Sequence, residues 1–342
     1  MEKLSEKSAR HTIFAFLFLF LICLFLFSLS VGRYSITISE IVQAFGSKFF
    51  SIDTNLSENV ETVIFNVRFP RILGAIIVGA ALSASGAAYQ GIFKNPLVSP
   101  DIIGASAGAG FGAALAIIFS FSNVGIQLMA FVFGLVAVFI TYLIGANLRK
   151  GDPTLSLILT GMVIGTLFSS FISLLKYIAD PFEKLPAITF WLMGSLATMT
   201  MKDIYFIAMP VVFGWIILYL VRWRLNIMAF GDEEAQTLGI NTKKLRFIVI
   251  LSSTMLTASV VSISGMIGWV GLIIPHFARL LVGPNYKTLL PVSIILGATF
   301  LLLVDTLARI ILPTEIPLGI LTSMLGAPIF IYLLSYSRRS WV

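Results

Sequence analysis

The chain has 342 residues, of which 58% are hydrophobic and only 11% are charged. A soluble domain carries roughly a quarter of its residues charged, so most of this surface is expected to face lipid. The net charge of +7 would suggest nucleic acid in a soluble protein; here it is read as Lys and Arg held in cytoplasmic loops, with no nucleic-acid partner.

In chain order, the first apolar run is 12–31, preceded by Lys3, Lys7 and Arg10. It is too long for a signal-peptide core and no A-x-A site follows, so it is read as a retained span. It holds the only cysteine, Cys23, which leaves no disulfide framework and no cysteine metal site. Residues 32–67 read as a polar extracellular connection in which "ITISEIVQAF" predicts a short surface helix. Further spans are expected at 69–89, 99–120, 124–147, 154–178, 203–221, 246–264, 271–284, 288–309 and 317–336, with the eighth of the ten short for a full crossing. Residues 185–201 are apolar but carry Pro and Gly, which predicts a half-inserted helix covered by protein or a wet cavity. With both termini inside, Arg149, Lys150, Lys243, Lys244, Arg338 and Arg339 fall in the cytoplasm and far fewer basic residues, among them Arg33 and Lys48, fall outside. That asymmetry sets the orientation. The whole chain, 1–342, reads as one all-α, polytopic membrane domain.

A weak repeat is visible. Ser83, Ser85, Gly86, Pro96 and Gly104 match Ser262, Ser264, Gly265, Pro275 and Gly283 at one constant offset. An odd number of spans separates the copies, so they would run oppositely through the membrane, as in transporters with inverted repeats.

Chemistry-bearing residues are sparse. No G-x-x-x-x-G-K-[ST] loop is present to bind ATP. His11 and His276 stand far apart, and no catalytic or metal constellation and no cofactor are expected. Asp305 and Arg309 are spaced i, i+4 and could pair, either as local neutralisation near a membrane end or for function.

The most polar stretch is "GDEEAQTLGI", 231–240, within the loop 225–245. Gly231 breaks the preceding helix and Asp232 is expected to cap a new one. Glu233 and Glu234 suit the positive end of its dipole. Ala235 and Leu238 form a small apolar face, and Gly239 can end the helix in a left-handed conformation. A solvated connector would need neither caps nor an apolar stripe.

That stretch resembles the coupling-helix loop of the ABC importer permeases for iron chelates and vitamin B12. The resemblance extends over "RFPRILGAIIVGAALSASGAAYQGIFKNPLVSPDIIGASAGAG" (68–110), "WLMGSL" (191–196), "GWVGLIIPHFARLLVGP" (268–284), "LLPVSIILGATFLLLVDTLAR" (289–309) and "EIPLGILTSMLGAPIFIYLL" (315–334), in the family's order. It implies a ten-span subunit of a homodimer or pseudo-symmetric heterodimer, with the pathway at the subunit interface. It implies that Gly231 to Ile240 docks on a cytoplasmic ATPase dimer, with Ala235, Leu238 and Gly239 in the contact and the acids at its rim. It implies that Arg68, Arg71 and Arg309 meet acidic residues of an extracytoplasmic substrate-binding protein, although without the resemblance they would read as snorkelling arginines. The inner gate would involve Asn95 and Leu97 and, on the fifth span, Pro153 and Thr154, where a proline replaces the expected polar residue. On the same span Thr160, Gly161, Gly165, Thr166, Ser169, Ser170 and Ser173 line the pathway or serve close helix packing.

The expectation is therefore the permease of a binding-protein-dependent ABC importer in a prokaryotic plasma membrane. The expected cargo is a ferric siderophore, with haem or cobalamin as the alternatives. An ion-coupled secondary transporter would want a chain of buried acids that the sequence does not offer. A membrane enzyme would have only His276 beside Arg279, a poor catalytic cluster.

Overall fold

In the computed structural model, residues 2–32, 34–50, 56–147 and 152–337 are described. Arg33, Arg149, Lys150, Arg338 and Arg339 lie outside them, as do the side chains of Lys3, Lys7 and Arg10.

The regular structure of the described residues is helical, with no strand among them. Helix α1 (Glu2–Ser30) is followed by α2 (Ile38–Phe50), the short helix expected from "ITISEIVQAF". Helix α3 (Glu58–Thr62) runs through a π-helical turn, Val63–Arg68, into α4 (Phe69–Ile92). A 3-10 turn, Pro100–Ile103, leads to α5 (Ala105–Ile118), α6 (Asn123–Asn147) and α7 (Pro153–Ile178). Then come α8 (Lys184–Met193), α9 (Met201–Met228), α10 (Asp232–Thr237), α11 (Thr242–Ser264), α12 (Val270–Val282), α13 (Tyr286–Ile310) and α14 (Leu318–Ser337).

Seven helical segments among the described residues are long and apolar enough to cross a membrane. Three shorter apolar helices, Ala105–Ile118, Val270–Val282 and Leu318–Leu333, fall where the third, eighth and tenth spans are expected. Helix α8 occupies the segment expected to insert only part-way.

Helix ends follow local chemistry. Asp152 Oδ1 accepts from the Thr154 N–H at 2.8 Å, with Pro153 in the first turn of α7, where its missing donor costs nothing. Thr200 and Asp203 form a reciprocal capping box at the start of α9. Asn241 Oδ1 accepts from the Lys244 N–H at 2.9 Å to open α11.

Helix α4 is the central post and packs against α9, α11, α12 and α13. Glycine makes this approach possible: a Cβ on Gly86 would strike the backbone of Gly271 in α12. At the periphery α1 turns Phe16, Phe18 and Leu19 outward. Exposed aromatic surface of that kind is at ease in lipid, where helix association depends on close packing and not on hiding apolar area.

Four successive helices recur in length: α4 to α7 have 24, 14, 25 and 26 residues, and α11 to α14 have 23, 13, 25 and 20. The packing recurs too, since α4 meets α12 and α13 while α11 meets α5 and α6. The residue pairing expected from the constant offset does not follow this repeat. Ser83, Ser85 and Gly86 lie well inside α4, whereas Ser262, Ser264 and Gly265 lie at the end of α11. Small residues recur wherever helices pack closely, so their coincidence does not mark structural equivalence.

Candidate functional site

Arg71 begins and Lys94 follows α4, which at about 1.5 Å per residue puts them some 30–35 Å apart, at opposite ends of the molecule.

At the Lys94 end stands α10. Its N-cap is Gly231, whose φ of 137° lies in the region that favours glycine. This corrects the expectation for Asp232, which makes no cap. Its carboxylate turns away from the helix start: Oδ2 accepts from Arg246 Nη2 at 2.8 Å, and Oδ1 lies 3.4 Å from Lys94 Nζ. Burial alone would push this carboxyl up, but the bonds and charges of Arg246 and Lys94 outweigh it and hold it below its ordinary range. The helix ends as expected. Gly239, at φ 79°, donates to the Gln236 carbonyl and Ile240 donates to that of Ala235, which is a Schellman stop.

Ala235 and Leu238 do not share a face. Ala235 is fully buried against its own chain, while Leu238 is 65% exposed. The reason is that the helix closes at Thr237, so Leu238 has left helical geometry. Beside Leu238 in exposure stands Phe230, at 75%, which the sequence reading missed. An aromatic residue just before a capped acidic turn was the available signal. Glu233 and Glu234 are exposed.

The expected gate residues lie at this end. Asn95 Oδ1 accepts from the Leu97 N–H at 2.9 Å, and Leu97 is half exposed. Pro153 is exposed and Thr154 half-buried at the start of α7. Thr154 Oγ1 accepts from Arg246 Nη2 at 3.4 Å.

Helix α7 divides the expected pathway residues in two. Thr160 and Gly161 are buried; a Cβ on Gly161 would run into the backbone of Ile102 and Ile103, and Gly165 lies against Gly104. These face neighbouring segments of the chain. Thr166, Ser169, Ser170 and Ser173 are exposed on one stripe. Each hydroxyl donates to the carbonyl four residues earlier, at 2.8, 2.8, 3.0 and 3.0 Å.

At the other end, all three expected docking arginines are buried, Arg68 at 4%, Arg71 at 5% and Arg309 at 7% exposure. Arg68 donates to the carbonyls of Leu29, Ser30 and Tyr34. Arg71 donates to Asp305 from Nε at 2.9 Å and to Glu315 from Nη1 at 2.9 Å. Arg309 Nε lies 3.3 Å from Asp305 Oδ2, so the i, i+4 pair forms. These guanidiniums join α1, α4, α13 and the segment before α14. All three are thus held within the chain, at the end where docking of a binding protein is expected. Glu315 was missed because it pairs across 244 residues. His276 is buried, and Arg279 beside it donates to Gln90 Oε1 at 3.1 Å.

A model of the FecCD transport family matches residues 19–336. The chain is 46% identical over 303 residues to the molybdate import system permease protein MolB of Haemophilus influenzae, covering 89% of each. It is 41% identical over 280 residues to the "Probable iron chelatin transport system permease protein" of Helicobacter pylori, covering 82% of this chain and 84% of that protein. A solved structure of an ABC transporter assigned to the metal-chelate type, in an inward-facing conformation, matches with a TM-score of 0.86 and 43% identity. That match covers 95% of this chain and 99% of the other.

Proposed function

Because the chain belongs to the FecCD transport family, as a membrane permease subunit of an ABC importer, we propose that it moves a ferric chelate of the siderophore class inward by alternating access. Two copies, or this chain and a close paralogue, enclose the pathway. A separate ATPase dimer docks on the cytoplasmic end at α10 through Leu238 and Phe230, with Gly231, Glu233, Glu234 and Gly239 shaping and rimming the contact. Ala235 seats the helix from within, and the permease itself performs no covalent chemistry. An extracytoplasmic binding protein delivers cargo to the opposite end, whose shape Arg68, Arg71 and Arg309 hold from inside. In this orientation both termini are cytoplasmic.

The observation that carries the pathway is the stripe Thr166, Ser169, Ser170 and Ser173. From Thr154 to Leu175 α7 has no charged residue, and the stripe's hydroxyls already donate within the helix. Such a wall is wettable but offers no charge to hold a chelate, so cargo can leave as readily as it enters. The iron reading is supported by the Helicobacter relative and the metal-chelate neighbour. Molybdate is a second reading, favoured by the Haemophilus relative. A neutral wall tolerates either cargo, and selection then falls to the binding protein.

The test is uptake into proteoliposomes holding the permease with its ATPase and binding protein. ATP-dependent accumulation of a radiolabelled ferric chelate is expected. Accumulation of molybdate instead would replace the cargo and keep the permease role. Accumulation driven by a proton gradient without the ATPase would overturn the importer reading.

A further inference from the structure

Four separate segments are joined through one carboxylate and the arginine bound to it. Asp232 opens α10, Lys94 stands in the turn after α4, Arg246 lies in the first two turns of α11, and Thr154 opens α7. The contacts run Lys94 Nζ to Asp232 at 3.4 Å, Arg246 Nη2 to Asp232 at 2.8 Å, and Arg246 Nη2 to Thr154 Oγ1 at 3.4 Å. Lys94 belongs to the same turn as Asn95 and Leu97, and Thr154 to the same helix start as Pro153. The acid on the ATPase-docking helix is thus tied to both segments assigned to the inner gate.

The two links differ in kind. Arg246 is buried, with its side chain 5% exposed. A buried guanidinium deprived of its carboxylate is left uncompensated in a low-dielectric setting, so this pair resists separation. The Lys94 side chain is 36% exposed and can exchange the carboxylate for water at little cost. Lys94 also sits at φ 49°, in the left-handed region that favours glycine. The turn after α4 therefore holds a strained backbone while its side chain reaches Asp232.

We propose that Lys94–Asp232 is a releasable latch between the coupling helix and the inner-gate turn, and that Asp232–Arg246–Thr154 is the permanent hinge beside it. Displacement of α10 by the ATPase carries Arg246 and the start of α7 along and breaks the Lys94 contact. The turn bearing Asn95 and Leu97 is then free to move. This rests on the reading of α10 as the ATPase-docking element.

The experiment uses the complete reconstituted importer, with ATP hydrolysis measured with and without binding protein, and transport measured in parallel. Lys94→Met keeps the stem of the side chain and removes its charge. It should leave the ATPase bound and raise hydrolysis without binding protein about two- to fivefold, the range an exposed ion pair can account for. Transport per ATP should fall, and Lys94→Arg should restore wild-type behaviour. Raised ionic strength should move the wild type towards Lys94→Met and leave Lys94→Met itself unchanged. Wild-type hydrolysis and transport in Lys94→Met would overturn the latch. Leu238→Asp is the separate control: if the ATPase still co-purifies with it, the docking reading fails whatever Lys94→Met does.

Discussion

Arg71 and Asp305 stand 234 residues apart in sequence and 2.9 Å apart in space, both enclosed by protein. Stranding a buried charge outright typically costs about 3–5 kcal/mol, and Asp305 keeps Arg309 at 3.3 Å, so loss of Arg71 should cost less than that. Arg71→Ala should still lower the thermal midpoint of the detergent-solubilised permease, before any partner is added. If Arg71 instead reaches a binding protein directly, stability will be unchanged and only binding-protein affinity will fall.

Leu238 and Ala235 should respond in opposite ways. Leu238→Asp places a charge on an exposed apolar knob, so it should abolish co-purification of the ATPase while the thermal midpoint stays near wild type. Phe230→Asp should weaken the same association. Ala235→Leu enlarges a fully buried side chain and should cost about 1–3 kcal/mol of stability, read from the same melts.

The contact between α4 and α12 gives a packing test. Gly86→Ala must push apart two backbones, because its new Cβ meets the carbonyl of Gly271. Backbone cannot rotate away as a side chain can, so a loss of about 1–3 kcal/mol is expected. A neutral Gly86→Ala would mean that the two helices pack less closely.

On α7 the exposed stripe and the buried face should separate by phenotype. Ser169→Asp or Ser173→Asp introduces a negative charge to the proposed pathway wall and should cut uptake of an anionic chelate while ATP hydrolysis and stability persist. Gly161→Ala should impair folding instead, since its Cβ meets the turn at Ile102.

Asp232 carries a pH prediction. Its carboxyl is held below the ordinary value, since Arg246 and Lys94 outweigh the upward push of burial. A depressed folded pKa contributes stability above the unfolded value of about 3.9 and loses it as pH falls through the folded value. Coupling through Asp232 should thus be flat between about pH 5 and 8, and Asp232→Asn should reproduce at neutral pH the defect otherwise seen only in strong acid. A coupling ratio that changes between those limits would show that another group controls it.

The membrane spans, the surface helix Ile38–Phe50 and the stop at Gly239 were legible because each depends on residues adjacent in the chain. Apolar runs, capping residues and left-handed glycines act within a turn or two. The Asp305–Arg309 pair was legible for the same reason. What the sequence by itself determined is this list of helices, their order, and membership of a permease family through motifs in series.

The tertiary structure alone decided which way the side chains point. In a soluble helix the apolar stripe marks the inside, but in lipid an outward face is as apolar as an inward one. Thr160 and Ser170 on α7 therefore look alike in sequence, and only packing buries the first and exposes the second. The same holds for charge. Arg71 finds Glu315, and Asp232 finds Lys94 and Arg246, across sequence separations that no local spacing reports. Those meetings bury three arginines inside the chain, and make an acid expected to cap its helix a tie between α10, α11 and the turn after α4.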